Sequence, residues 1–216
     1  MKTAMSRPEE TERLQDLGRA SMQIVHDLKN QLNGLKLYAT FLRRRIEKSD
    51  RPGDEQETVV KLISGLDRAA EDLSTIVRYG QPVELKKQAG FEVDKVLRSV
   101  CSGMDETIVW NADSDAVQGS FDHFKLTDAF KWLCSGAVKH RPLADEGTEI
   151  TVTTKLDGKN SVIEWAGLRQ LDHDPFRSFA GSDEIKLALA AKIIEAHGGS
   201  AKFIDKKFVV ELPLSE

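Results

Sequence analysis

Residues 21–47, SMQIVHDLKNQLNGLKLYATFLRRRIE, decide how the chain folds. Val25, Leu28, Leu32, Leu35, Ala39, Leu42 and Ile46 succeed one another at alternating spacings of three and four. That rhythm is the seam of an amphipathic helix packed lengthwise in a bundle or coiled coil. Leu14, Gly18 and Ser21 carry it toward the N-terminus with weaker side chains. His26 falls one residue past Val25, on the shoulder of the apolar stripe, where its ring can lean on the bundle while its nitrogens reach water. Asp27 follows directly, and Asn30 lies one helical turn on, at i+4.

Outward from this stretch, the spacing predicts a first helix over residues 10–49, about 60 Å long at 1.5 Å per residue. Ser49-Asp50-Arg51-Pro52-Gly53-Asp54 breaks it, with Pro-Gly as the turn signal. A second helix over 55–79 repeats the spacing with Val59, Leu62, Leu66, Ala69, Leu73 and Ile76. Two helices joined by a short loop make an antiparallel hairpin. Ile24, Leu37, Phe41, Ile63 and Val77 widen the stripes beyond what one hairpin can bury. Two hairpins pairing into a four-helix homodimer through residues 10–80 would cover them; packing on the rest of the chain is the alternative.

Gly80-Gln81-Pro82 reads as a hinge, which divides the chain into domains 1–82 and 83–216. Beyond it the periodicity changes. Phe91–Met104 is expected as a helix, Thr107–Trp110 as a strand, Ala116–Gln118 as a weaker strand and Phe121–Val138 as a helix. Glu149–Lys155 and Ser161–Trp165 alternate, with Asp157-Gly158 as the hairpin turn between them. Glu184–His197 is a helix stopped by Gly198-Gly199, and Phe203-Ile204 with Phe208–Leu212 forms a last hairpin. Helices mixed with mainly antiparallel strands argue for an α+β sandwich, one sheet covered on one face by helices.

Composition narrows the function classes. Hydrophobic residues make up 40% and charged residues 31%, which is ordinary for a soluble globular protein. Net charge is −4, with 14 Lys+Arg against 13 Asp+Glu in residues 1–80 and 17 against 22 beyond. Neither part offers the dense basic face of a nucleic-acid binder, and Arg43–Arg45 reads as the solvated end of a helix. No apolar run approaches the roughly 18 residues of a membrane span, and MKTAMSRPEE lacks the apolar core of a signal peptide. Cys101 and Cys134 stand far apart without a cluster of histidines, so neither a disulfide framework nor a zinc site is expected; a reducing cytoplasm fits.

HDLKNQL resembles the H-box of sensor histidine kinases, whose pattern is His, an acid, two residues, Asn or Thr, Pro, Leu. The hairpin, the hinge, AKIIEAHGG at 191–199 and ELPL at 211–214 follow in the order of that family. The resemblance covers residues from about 14 to 214. It implies that His26 accepts a phosphoryl group, that Asp27 takes a proton or holds the ring tautomer, and that Asn30 positions a water or an acceptor carboxylate. Gln31 replaces the family's Pro, so the usual bend below the histidine is not expected.

The second domain resembles the family's ATP-binding domain, with departures at the boxes that hold nucleotide. LTDAFKWLCSGAVKH (126–140) looks like the N-box helix, but Trp132 and Gly136 stand at its two asparagine positions. Glycine supplies no side-chain oxygen for magnesium. The D-x-G box that reads adenine is Trp165-Ala166-Gly167, and the three lid glycines align with Ser182, Glu184 and Lys186. A carboxylate at 184 would lie near the phosphates. At about 4 Å and an effective dielectric of ~20, each such charge pair costs about 4 kcal/mol, roughly a thousandfold in affinity. Lys186 offsets part of this but restores neither the magnesium ligand nor the adenine contact. ATP is therefore not expected as a ligand, and no cofactor or metal is expected in this chain.

Taken together, the resemblance is to the dimeric histidine phosphotransferases of sporulation and cell-cycle relays, which join a similar hairpin to a degenerate ATP-binding domain. It implies that His26 relays phosphoryl groups between aspartates of response-regulator receiver domains, with magnesium contributed by the receiver. The alternatives are an ATP-dependent kinase fragment, a scaffold without catalysis, and a phosphatase that leans on Asn30. His123, His140 and His173 are expected in loops or at helix ends. His197 should meet the dipole at a helix C-terminus. Trp110, Trp132 and Trp165 are expected in the core, the last two filling the former nucleotide pocket.

Overall fold

The three-four spacing is realised as continuous helix in the computed structural model of the chain, which describes residues 7–47, 53–104, 107–112, 118–142, 149–179 and 181–214. Helix α1 runs Arg7–Glu47 and α2 runs Gly53–Gly80. The last residues of the expected first helix, most of the Pro-Gly turn and the expected strand residues 116–117 lie outside the described residues. The chain divides into two compact units, Met1–Gln81 and Pro82–Glu216.

In the first unit α1 and α2 pack antiparallel around a thin apolar seam. Ala39, Val59 and Ile63 are buried there, with Ile46 and Leu66 partly buried beside them. Lys36 Nζ pairs with Asp67 Oδ1 at 2.5 Å across the hairpin. Further along, Met22 lies over Gly80, where an added Cβ would fall 2.6 Å from the Met22 sulfur. Acidic Asp54 and Glu55 open α2, while Arg44 and Arg45 close α1, each matching the local helix dipole. Much of the apolar set finds no cover in this unit. Ile24, Leu28, Leu35 and Leu42 form one line along α1 with Tyr38 at its edge, while Phe41 and Leu37 point away from it toward the far side of the helix; all are 44–71% exposed. No helix among the described residues is long and apolar enough to cross a membrane.

The second unit is α+β. Its elements are β1 (Gln88–Glu92), α3 (Val93–Ser102), β2 (Ile108–Ala112), β3 (Gln118–Phe121), α4 (His123–Lys139), β4 (Ile150–Asp157), β5 (Asn160–Ala166), α5 (Ser182–Ala196), β6 (Ser200–Ile204) and β7 (Lys207–Pro213). Five strands form one sheet in the order β2-β4-β5-β7-β6, and β1 pairs with β3 in a separate ribbon. All ladders are antiparallel except β2–β4, which is parallel. Register places Trp110, Val152, Trp165, Phe208 and Phe203 in one row across the five-stranded sheet. Val152, Trp165 and Phe208 in that row are fully buried. Helices α3, α4 and α5 cover this face. On the opposite face Glu164 takes Lys155 at 2.7 Å and Lys207 at 3.0 Å, and this pairing holds its carboxyl below the usual range.

Two boundaries differ from the sequence expectation. Phe91 belongs to β1 and Phe121 to β3, so neither begins a helix. The β1–β3 ribbon has a register shift between Gln88 and Phe91, and Gly90 within it has φ +79°. So short and irregular a pair leaves no alternating pattern to read. Gly119 faces the Phe121 ring, 2.2 Å from where its own Cβ would stand, so the ribbon requires a residue without a side chain there. The last hairpin turns at Asp205 and Lys206, with φ of 50° and 60°, a left-handed pair without glycine.

Candidate functional site: an exposed imidazole on a helical hairpin

The expected phosphoryl acceptor lies on the outside of α1. The side chains of His26 and Asp27 are 58% and 59% exposed. Two groups compete for the same ring nitrogen. Asp27 Oδ1 lies 3.6 Å from His26 Nδ1, and the Asn30 amide nitrogen lies 3.4 Å from it. The i+4 spacing read from the sequence thus becomes a contact. Gln23 donates to Asp27 Oδ1 at 3.0 Å, one turn before, and steadies the carboxylate beside the ring.

Both contacts fall on Nδ1, so Nε2 faces no protein partner among the described residues. Nε2 is a nucleophile only when the ring hydrogen sits on Nδ1. The Asp27 carboxylate, 3.6 Å from Nδ1 and so beyond hydrogen-bond distance, favours that tautomer by its negative charge beside Nδ1–H. The Asn30 amide, with its nitrogen toward the ring, favours the opposite one; turned over, its oxygen would accept from Nδ1–H. Asn30 can therefore either hold the ring ready or hold it idle. At 100° per residue, Leu37 and Phe41 lie within about 60° of His26 around the helix axis. On the same side of α1, about three turns beyond the imidazole and past Asn30 and Asn33, Leu37 and Phe41 stand 54% and 51% exposed.

The positions aligned to nucleotide-binding boxes are taken up by packing. Gly136 is buried on α4, and a Cβ there would fall 2.7 Å from Leu187 Cδ2 of α5. Beside it Lys139 Nζ pairs with Asp183 Oδ2 at 2.6 Å and joins the end of α4 to the start of α5. Trp165 is fully buried under Phe130, 6.3 Å between ring centroids, and donates its indole N–H to Cys134 Sγ at 3.3 Å. Trp132 is partly buried on α4. Ser182 opens α5, its side chain outside the described residues, and Lys186 is partly buried one turn on.

Glu184 has two partners of its own within the chain. Ser178 donates its hydroxyl to Glu184 Oε2, and His173 Nε2 lies 3.2 Å from Oε1, with the Glu184 side chain only 15% exposed. The carboxylate is an anchor for the 168–179 loop. Leu168, Leu171 and Phe176 bury from the same loop, with Phe176 edge-on to Phe208 at 5.2 Å.

No family model matches the chain, and no curated protein matches it. Solved structures do. ShkA, in a full-length structure in complex with AMPPNP, has a TM-score of 0.70 at 19% identity over 89% of this chain. The histidine kinase AdeS of Acinetobacter baumannii has a TM-score of 0.58 at 17% identity, covering 88% of this chain and 98% of its own. Histidine kinase ThkA, in complex with the response regulator TrrA, has a TM-score of 0.63 at 19% identity, covering 95% of this chain and 64% of ThkA.

The fold is that of a histidine kinase.

This chain spans 45% of the length of ShkA. Within the histidine-kinase fold, His26, Asp27 and Asn30 come together as one constellation, whereas Gly136, Trp165 and Glu184 are spread through core and loop contacts. The remaining histidines lie at the places expected of them, His123 and His140 at the two ends of α4, His173 in a loop and His197 at the C-terminus of α5, but their surroundings are more specific than that. His197 is 2% exposed and does not act as a cation at a helix end. Burial pushes its pKa down; its Nδ1 bonds the Ile193 carbonyl at 2.8 Å, and its Nε2 accepts from the Asp122 N–H at 3.0 Å. His140 caps α4 at 3% exposure, neither ring nitrogen has a hydrogen-bond partner, and burial, Arg169 and Lys139 lower its pKa. Asp122 caps α4 by accepting from Lys125 N–H at 3.0 Å, and a second oxygen takes Lys86 N–H at 2.8 Å. Burial alone would raise this carboxyl, but the two N–H groups, with Lys125 and His197, bring it below the usual range. The Ser178–Glu184–His173 anchor escaped sequence reasoning because the loop carries no period, and only its paired aromatic and leucine anchors hint at a packed path.

Proposed function

We propose that this chain is a two-component phosphotransfer protein in which His26 takes a phosphoryl group from the aspartyl phosphate of one receiver domain and passes it to another. The observation that carries the reading is the His26 ring, exposed on an unbroken helix, with Asp27 and Asn30 both at Nδ1. With the hydrogen on Nδ1, the Nε2 lone pair attacks phosphorus. The P–O bond to the aspartyl oxygen breaks, and the donor is left as a carboxylate. The positive charge gained by the ring lies beside Asp27. Running the same exchange backward delivers the group to a second aspartate. The magnesium that assists such a transfer belongs to the receiver in this reading, and a cytoplasmic setting suits it.

Two further observations support the assignment of roles. The ThkA structure holds the response regulator TrrA, which makes a receiver domain the natural partner class here. The Leu37–Phe41 patch on the His26 side of α1 offers it an apolar footing. The uncovered line of Ile24, Leu28, Leu35 and Leu42 supports a homodimer through α1 and α2, as a four-helix bundle. The donor is aspartyl phosphate and not ATP in this reading, because Leu187 fills the space that an asparagine at 136 would need. The second unit then serves to contact the regulator.

The test incubates wild type and His26→Ala with a panel of phosphorylated receiver domains, and separately with labelled ATP and magnesium. The reading expects label on wild type from at least one receiver, none on His26→Ala, and none from ATP. It fails if no receiver loses its phosphoryl group to His26. His26-dependent label from ATP would make the chain a kinase instead.

A further inference from the structure

A groove of about 570 Å³ runs between α3 and α4, with Val96, Val100 and Met104 on one side and His123 and Thr127 on the other. Lys95 and Lys131 also line it, one from each helix, and no acidic residue does among those described. Phe124, edge-on to His123 at 5.7 Å, stands beside it and is 82% exposed. We propose that this groove docks an amphipathic helix of a partner protein, its apolar ridge between α3 and α4 and its acidic flanks against Lys95 and Lys131.

Its shape follows from the two helices. His123, Thr127 and Lys131 succeed one another at i+4 and make one row, about 12 Å long, on α4. Lys95, Ser99 and Gly103 make the matching row along α3 and its C-cap. A trough between two such rows accepts the ridge of a third helix, the helix-in-groove mode of recognition. Thr127 keeps its hydroxyl on the His123 carbonyl at 2.7 Å, so that donor is already taken within α4. An exposed phenylalanine by itself is ordinary. This one borders an apolar trough and is held by rings, Phe124 on His123 and His123 on Phe91 at 5.4 Å. A ring already held in place loses little freedom when a partner covers it, which suits an anchor.

Charge selects the occupant. Residues 81–216 carry 17 Lys+Arg against 22 Asp+Glu, so a groove whose charged lining is two lysines runs against the balance of its own unit. Among the described residues neither Lys95 nor Lys131 is in an ion pair. The one acid within each helix lies elsewhere. Asp94 is buried on another side of α3, and Asp128 is about 100° round α4 from Thr127. Two cations flanking an apolar trough favour carboxylates at the edges of an apolar stripe and repel a basic one.

The experiment titrates the isotope-labelled full chain with a capped peptide of about 16 residues, long enough to turn helical on contact. The peptide carries leucine at i, i+3, i+4 and i+7 with glutamate on both flanks. A second peptide has lysine in place of glutamate, and a third scrambles the order of the first. The expected result is amide shifts confined to 95–104 and 123–131, with a dissociation constant that rises with added salt. Binding should weaken roughly tenfold or more for either control peptide, for Phe124→Ala, and for Lys95→Glu combined with Lys131→Glu. All three side chains are exposed, and the amide spectrum checks that each variant folds. If one does not, the three peptides on wild type decide alone. The proposal is overturned if the acidic peptide fails to bind, binds no better than the controls, shifts signals elsewhere or is indifferent to the double charge reversal. It is equally overturned if dodecanoate moves these signals in the peptide's place, which would assign the groove to an acyl chain. Signals that move on dilution of the chain alone would make a second copy the occupant and overturn it too. None of these readouts involves His26.

Discussion

Leu187 of α5 occupies the space above Gly136 of α4, so closely that a Cβ on residue 136 would stand 2.7 Å from Leu187 Cδ2. A glycine in a helix interior ordinarily costs about 1 kcal/mol relative to alanine. Here it allows two helices to meet side by side, and the packing of the layer depends on it.

Gly136→Asn is accordingly expected to destabilise the second unit by about 1–3 kcal/mol, the usual range for overpacking. Pairing it with Leu187→Ala should return part of that loss. Urea unfolding of the single and double variants measures both; a neutral single substitution would mean that Leu187 can swing aside at no cost.

Glu184→Ala is expected to release the 168–179 loop, because it removes the acceptor of both Ser178 and His173. Amide hydrogen exchange should quicken within 172–179, while the strands β4, β5 and β7 keep their protection. Exchange unchanged in the loop would show that Leu168, Leu171 and Phe176 hold it without the carboxylate.

Acid should weaken the second unit before its carboxylates titrate. His140 and His197 both have folded pKa values pushed below the ordinary histidine value, chiefly by burial. The unfolded chain therefore binds more protons near pH 6, and stability rises with pH there. Their contribution is complete above about pH 6.5 and is lost as pH falls through the lowered folded values. Asp122 and Glu164, also lowered, add a further loss below the carboxylate range. Denaturant midpoints at pH 7.5, 6.5 and 5.5 should fall in that order, and His140→Phe should flatten the trend. A midpoint constant across this window would contradict the assignment of neutral, buried rings.

Leu28→Glu with Leu35→Glu tests the hairpin face. Each leucine, 44% and 53% exposed in the single chain, contributes up to roughly 1.5–3 kcal/mol if a second copy buries it. The double substitution should shift the dimer to monomer in sedimentation velocity by at least a hundredfold in dissociation constant. Helicity should change little, since neither residue supports the seam within the hairpin. A wild type that sediments as a monomer would exclude the dimer directly.

The hairpin and most of the sheet were legible in the sequence because they repeat. Val59, Leu62 and Leu66 declare a helix, and the alternation of Ile150, Val152 and Thr154 declares a strand that buries one side. The β1–β3 ribbon was hidden because Gly90 and Gly119 answer to local sterics and leave no period. The H-box trio was legible because i+4 spacing on a helix is itself a distance. The partners of Glu184 were not legible, because Ser178 and His173 come from a loop whose path no spacing encodes.

The β6–β7 turn carries a different kind of information. Asp205 and Lys206 both sit in the left-handed region, at φ 50° and 60°, where a side chain costs of order 1–2 kcal/mol over glycine. Unused margin of that size, at a tip remote in sequence from His26, gives the fold a reserve. Substitutions that weaken it elsewhere could be offset there, by an Asn-Gly pair, without touching the imidazole.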